Sequence, residues 1–183
     1  SAQEADGAWD PVKWGGKKEY EASLTSMAVL AFLRNNGAVR APEQKGALKS
    51  GVDHVLGRQN ADGSFGPDCT GRMYNHGITT VALLEYLPRR DDAKLREAIG
   101  RAIGFIRGQQ HSSGGWGYEK KPTSQANTSI SVWQMEALYL AHKAGWTEAG
   151  ANLDRGLAWL KSMVDEQVAF GYKKPRDSTS DSD

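Results

Sequence analysis

The chain has 183 residues, 39% of them hydrophobic and 25% charged, a composition that supports a sizeable core and excludes intrinsic disorder. A net charge of +1 gives no electrostatic case for nucleic acid or an anionic membrane as partner, and no apolar run nears the roughly 18 residues that a membrane-spanning helix needs. Cys69 is the single cysteine, so no internal disulfide forms and the redox compartment stays open; the chain starts at Ser1 without an initiator methionine and is read as a processed product or an excised piece, from which any signal peptide has gone.

An aromatic–glycine unit recurs along the chain as Lys13-Trp14-Gly15-Gly16, Ser64-Phe65-Gly66, Gly115-Trp116-Gly117-Tyr118 and Ala169-Phe170-Gly171-Tyr172. The rings at 14, 65, 116 and 170 step by 51, 51 and 54 residues, which marks one supersecondary unit stacked several times. After the first unit, Leu24, Met27, Ala28, Leu30, Phe32 and Leu33 predict a helix over about 22–35 with little polar face. A single stripe follows at Leu48, Val52, Val55 and Leu56. The second unit repeats the pair, with a nearly all-apolar helix around Ile78, Val81, Leu83 and Leu84 and a striped one at Leu95, Ile99, Ile103 and Ile106. The third does so again, with Ile130, Val132, Trp133, Met135 and Leu138 and then Leu153, Leu157, Leu160 and Val164.

Helices apolar nearly all round are buried, and striped ones lie outside with one face inward. The pattern therefore predicts inner helices wrapped by outer ones, with no alternating run that reads as a strand. Gly37, Pro88 and Gly145 punctuate the ends of the inner helices. Asp91, Asp92 and Glu97 suit the start of the middle outer helix. Residues 1–172 form one repeat domain with units starting near 14, 65 and 116, and 173–183 is a polar tail or the start of a truncated fourth unit.

Gln59-Asn60-Ala61-Asp62-Gly63-Ser64-Phe65 and Gln110-His111-Ser112-Ser113-Gly114-Gly115-Trp116 both read Gln, three residues, Gly, one residue, aromatic. This resembles the Gln-Trp repeat of the prenyltransferase and squalene-oxidase repeat family, which includes squalene-hopene cyclases and protein prenyltransferase β-subunits. The segments Met73–Ile78 and Thr128–Gln134 look like those of stand-alone bacterial members. The resemblance implies an all-α fold, an α/α toroid, of which this chain supplies about three helix hairpins where family rings close with six or seven. A half ring leaves inner-helix surface open at both ends. Either the chain is cut from a longer protein, or a partner or second copy covers those faces, or an open ring forms a concave surface. In physical terms the glycine closes the turn at positive φ, the Gln amide bonds the exposed backbone of the neighbouring unit and the ring covers the gap between outer helices.

The chemistry that the resemblance implies does not map onto these residues. The cyclases' Asp-x-Asp-Asp acid is missing, and Asp91-Asp92 reads as a solvated helix cap. The transferases' zinc set is approached by Asp68, Cys69 and His76, but the spacing differs. The thioester run of complement-like toroids, the Gly-x-Ser-x-Gly elbow, the Walker loop and the dinucleotide fingerprint are absent. No cofactor or metal is expected. One cluster suggests a ligand site at the mouth of the toroid: Asp68, Tyr74, Asn75 and His76 at the second inner helix, with Tyr118, Asn127, Thr128, Trp133 and Gln134 at the third. Asn127 or Thr128 alternatively caps the helix. The expected function is a binding or scaffold module that takes a protein partner, a second copy or an apolar ligand. The alternative is an isoprenoid-related enzyme whose catalytic half lies outside this chain. A carbohydrate-active toroid would need paired carboxylates, for which Asp68 and Glu119 are the candidates.

Overall fold

The computed structural model describes residues 2–35, 41–118, 125–165 and 169–175. Among these, six α-helices account for the regular structure: α1 (Glu21–Arg34), α2 (Pro42–Leu56), α3 (Arg72–Tyr86), α4 (Ala93–Gly108), α5 (Thr128–Lys143) and α6 (Ala149–Ser162). Short 3-10 turns at Pro11–Trp14 and Lys18–Tyr20 precede α1, and no strand occurs among the described residues beyond an isolated bridge between Val164 and Phe170. The chain divides into two compact units, Ser1–Phe105 and Ile106–Asp183. In the first, α1 packs on both α2 and α3; in the second, α5 packs on α6. No described helix is long and apolar enough to cross a membrane.

The helix pairs follow the predicted order, and a repeated loop geometry fixes each pair. Gln59 Nε2 donates to Gly63 O at 2.9 Å and to Ala98 O on α4 at 2.8 Å. Gln110 Nε2 does the same with Gly114 O and with Asn152 O on α6, both at 2.8 Å. One amide thus closes its own loop and clasps it to the outer helix of the unit that follows. Gly63 and Gly114 adopt φ of +86° and +105°. A Cβ there would stand 2.6 Å from Arg101 O and 2.5 Å from Arg155 O, so the helix backbone approaches where only glycine leaves room.

A third clasp lies where the aromatic–glycine pattern did not place it. Gln3 Nε2 donates to Gly7 O and to Ala47 O on α2, both at 2.9 Å, and Gly7 has φ +92°. The ring of the first repeat is therefore Trp9, and Trp14 is 74% exposed on a 3-10 turn. A fourth loop is built alike, Asp165 N donating to Ala169 O at 3.0 Å as His111 N does to Gly115 O at 2.9 Å, but Val164 stands where the others carry Gln. Its ring, Phe170, is 57% exposed, whereas Phe65 and Trp116 are buried.

The rings meet small residues. A Cβ on Gly51 of α2 would approach Trp9 within 2.9 Å, and one on Gly156 of α6 would approach Trp116 within 3.1 Å. Both glycines lie four residues after the carbonyl that holds the Gln amide; in α4, where the ring is the smaller Phe65, that position is Ala102. Ring and helix residue together conserve volume.

Two expectations about burial need correction. Met27 of α1 is 44% exposed, and on α5 Val132 is exposed and Tyr139 is 50% exposed. These helices each keep one apolar face uncovered among the described residues. On α6 the buried line is Ala149, Gly156 and Trp159, while Leu157 faces out. Helix ends fit the sequence: α3 gives way at Leu87 to a turn containing Pro88, and Gly145 follows α5 with φ +106°. Asp92 Oδ1 accepts the Leu95 N–H at 2.8 Å at the start of α4. Gly37 and the tail from 176 onward lie outside the described residues.

Candidate functional site

In the first unit, Asn75 and His76 are fully buried and engaged with backbone. Asn75 Oδ1 accepts the Ser23 N–H at 3.0 Å and Nδ2 donates to Glu19 O at 2.8 Å, tying α3 to the start of α1. His76 Nδ1 lies 3.2 Å from the Phe65 N–H and accepts it; the ring hydrogen is then on Nε2, which donates to Ala102 O at 3.1 Å. Burial pushes the His76 pKa down to about 3, so the ring is neutral. Asp68 is exposed and lies 3.8 Å from Arg72, while Cys69 and Tyr74 are half-buried.

In the second unit, Asn127 caps α5, its Oδ1 accepting the Ile130 N–H at 3.0 Å; its buried Nδ2 has no protein partner among the described residues. The Thr128 hydroxyl donates to Gly171 O at 2.6 Å, and the Tyr118 and Tyr172 hydroxyls meet at 2.7 Å. Gln134 is buried, with Nε2 3.4 Å from Ile130 O, and Trp133 is half-buried. The nine residues thus fall four in the first unit and five in the second; Asn75, His76 and Thr128 spend their side-chain polar atoms on backbone, and Asn127 does so through Oδ1 alone. Glu119 lies outside the described residues.

A site that the sequence reading missed sits where α1 begins and α2 ends. A pocket of about 450 Å³ opens there, lined by Lys18, Glu21, His54, Arg58 and the next loop at Phe65 and Pro67. The buried Glu21 carboxylate is its centre. Lys18 Nζ bonds Oε2, His54 Nε2 lies 3.3 Å from Oε1 and Arg58 Nε 4.0 Å from Oε1. The other side of the His54 ring meets Asp6, with Nδ1 3.2 Å from its carbonyl oxygen and 3.3 Å from Oδ2. Both ring nitrogens of His54 thus face oxygen atoms. Arg58 Nη2 also reaches Asp6 Oδ2 at 3.2 Å. The Ala8 N–H, with His54 and Arg58 adding their charge, holds the Asp6 carboxyl below the usual carboxylate range. The hydrogen bond to Glu21 raises the Lys18 ammonium.

The other repeats fill this position differently. His54 comes seven residues after the clasped carbonyl of Ala47, as Phe105 does after Ala98 and Trp159 after Asn152. Where the first repeat has Glu21, the second has Arg72, whose guanidinium lies 4.9 Å over the Phe105 ring and pairs with Asp62. In the third, Trp159 is buried with Ala126 and Met163. The first repeat thus departs from a stacked ring to a buried Glu–His pair. Aligning the repeats on the clasped carbonyl would have exposed the odd histidine; composition and helical stripe could not.

No model of a known protein family matches the chain. A stretch of 67 residues, 37% of the chain, is 33% identical to an Alpha-2-macroglobulin of Thermotoga maritima. The chain spans 4% of that relative's length.

Proposed function

We propose that the chain is a binding or scaffold module of the α/α-toroid type, akin to the prenyltransferase and squalene-oxidase repeat family, and that its partner is a second copy docked head to tail. The clasped loops support the repeat architecture. The observation that carries the docking is a change of residue at matching positions. Between α1 and α3, the Ser26 and Thr79 hydroxyls meet at 2.8 Å and Asn75 reaches back to Ser23 and Glu19. Alignment of Thr25, His76 and Ser131, which bind the ring backbone in their repeats, puts Leu24 and Ala28 where α3 has Asn75 and Thr79. It puts Val132 where α1 has Ser26. The polar stitches of the internal contact become apolar on the two outward faces, and Met27 and Tyr139 extend them. An apolar face of α1 fits an apolar face of α5 from another copy, and burying both removes them from water.

Sedimentation velocity over a range of concentrations tests this. The expected result is a dimer or higher species that Met27→Glu and Val132→Glu each dissociate, with unchanged helical circular dichroism. A monomer at all concentrations, or association that both variants leave intact, would overturn it. His76, which the zinc set of the isoprenoid transferases would need as a ligand, spends both nitrogens on backbone, so that reading draws no support from it.

A further inference from the structure

We propose that Phe170 of one copy seats in an aromatic groove at the start of α1 of the next, a site of which each chain carries both halves but can join neither to the other. This rests on the head-to-tail docking proposed above and adds the contact that sets its register.

The groove lies between the 3-10 turns and α1. Trp14, Tyr20, Leu24 and Met27 supply its apolar walls around about 340 Å³. Phe170 is the other half. It is 57% exposed, and its loop is held at the start of α5, where the Thr128 N–H donates to Tyr172 O at 2.9 Å and the Thr128 hydroxyl to Gly171 O. Apart from Leu157, every large apolar side chain exposed among the described residues lies on or beside α1 or α5.

Register brings the halves together. Within one copy α1 and α3 run parallel with their starts adjacent: Asn75 near the start of α3 reaches Ser23 and Glu19 at the start of α1, and Thr79 meets Ser26 a turn further on. When α5 of one copy meets α1 of the next in the same way, the start of α5, with Phe170, comes beside the groove. Phe170 cannot take the ring site of that first repeat, because Trp9 fills it, with its N–H on Thr25 and its ring against Gly51. The groove is the apolar surface left beside it. Val164 stands where the other loops carry Gln, so the fourth loop lacks the amide that would tie it to an outer helix. Lys17 at the groove edge and Lys173 and Lys174 beyond the loop are exposed and keep their charges in water, while the ring and the groove wall leave it.

In a Cys69→Ser background, Lys17→Cys puts a thiol beside the groove and Ala169→Cys puts one beside the ring, and both apolar surfaces stay intact. An equal mixture of the two chains in a glutathione redox buffer should form the mixed disulfide pair, identified by mass, at least about tenfold faster than Lys17→Cys mixed with Leu157→Cys. Phe170→Ser should weaken association about tenfold or more with unchanged helical circular dichroism. Association in sedimentation without the excess of mixed pair, or Phe170→Ser associating as the parent chain does, would overturn the seat and leave the docking of α5 on α1 standing. A chain that is monomeric at every concentration would overturn both.

Discussion

Thr25 and His76 stand at the same position of successive inner helices and meet the same need: the Thr25 hydroxyl accepts the Trp9 N–H at 3.0 Å, and His76 Nδ1 accepts the Phe65 N–H at 3.2 Å. Ser131 does this for Trp116 at 2.9 Å. Each ring residue must turn its backbone inward to bury its side chain, and its N–H would otherwise be lost to water without a partner. Thr25→Val, nearly isosteric, should cost about 1–3 kcal/mol in urea unfolding, and Thr25→Ser much less.

Acid titration should expose His76. In the unfolded chain it takes a proton at the ordinary value near 6.5; in the folded protein it does so only near 3. Below the ordinary value the unfolded state binds more protons, so stability falls as pH drops through this window, by up to about 1.4 kcal/mol per pH unit. The loss should stop near the folded value. His76→Ser, which copies the residue that Ser131 supplies in the third repeat, should flatten this slope while keeping the bond to Phe65. An unchanged slope in a folded variant would assign the pH dependence to other groups.

The clasps predict opposite outcomes for two glycines. Gly63→Ala puts a methyl group against the α4 backbone and strains a positive φ, and should lose more than about 2 kcal/mol in chemical denaturation. Gly104→Ala, on the same helix and open to solvent, should gain about 0.5–1 kcal/mol from helix propensity. Gln110→Leu should cost about 1–3 kcal/mol by leaving Gly114 O and Asn152 O without their shared donor.

The complementarity of ring and helix residue should appear as a coupling energy. Phe65→Trp alone overfills the site and should cost about 1–3 kcal/mol. Adding Ala102→Gly, which recreates the pairing of Trp116 with Gly156, should recover part of the loss, with a coupling of at least about 0.5 kcal/mol in a double-mutant cycle.

The helix pairs were legible because their apolar period survives in every copy, and the clasps at Gln59 and Gln110 because Gln, Gly and ring recur at fixed offsets. The first clasp was hidden by a coincidence. Trp14 lies 51 residues before Phe65 and is followed by glycine, whereas the true ring, Trp9, is followed by Asp10. The step that repeats runs from inner helix to next ring, 40 residues both from Thr25 to Phe65 and from His76 to Trp116. The stretch from ring to inner helix varies, and the 3-10 turns Pro11–Trp14 and Lys18–Tyr20 lengthen it in the first repeat. The Glu21–His54 pocket stayed invisible because its residues come from three separate segments that only folding joins.

The Gln clasps join residues 44, 39 and 42 positions apart. Every one spans from a loop to the next outer helix, so the loop that must form before it is rewarded stays short however many repeats a chain contains. Assembly can then start at any clasp and spread to its neighbour, and a chain lengthened by whole repeats should refold about as fast as this one.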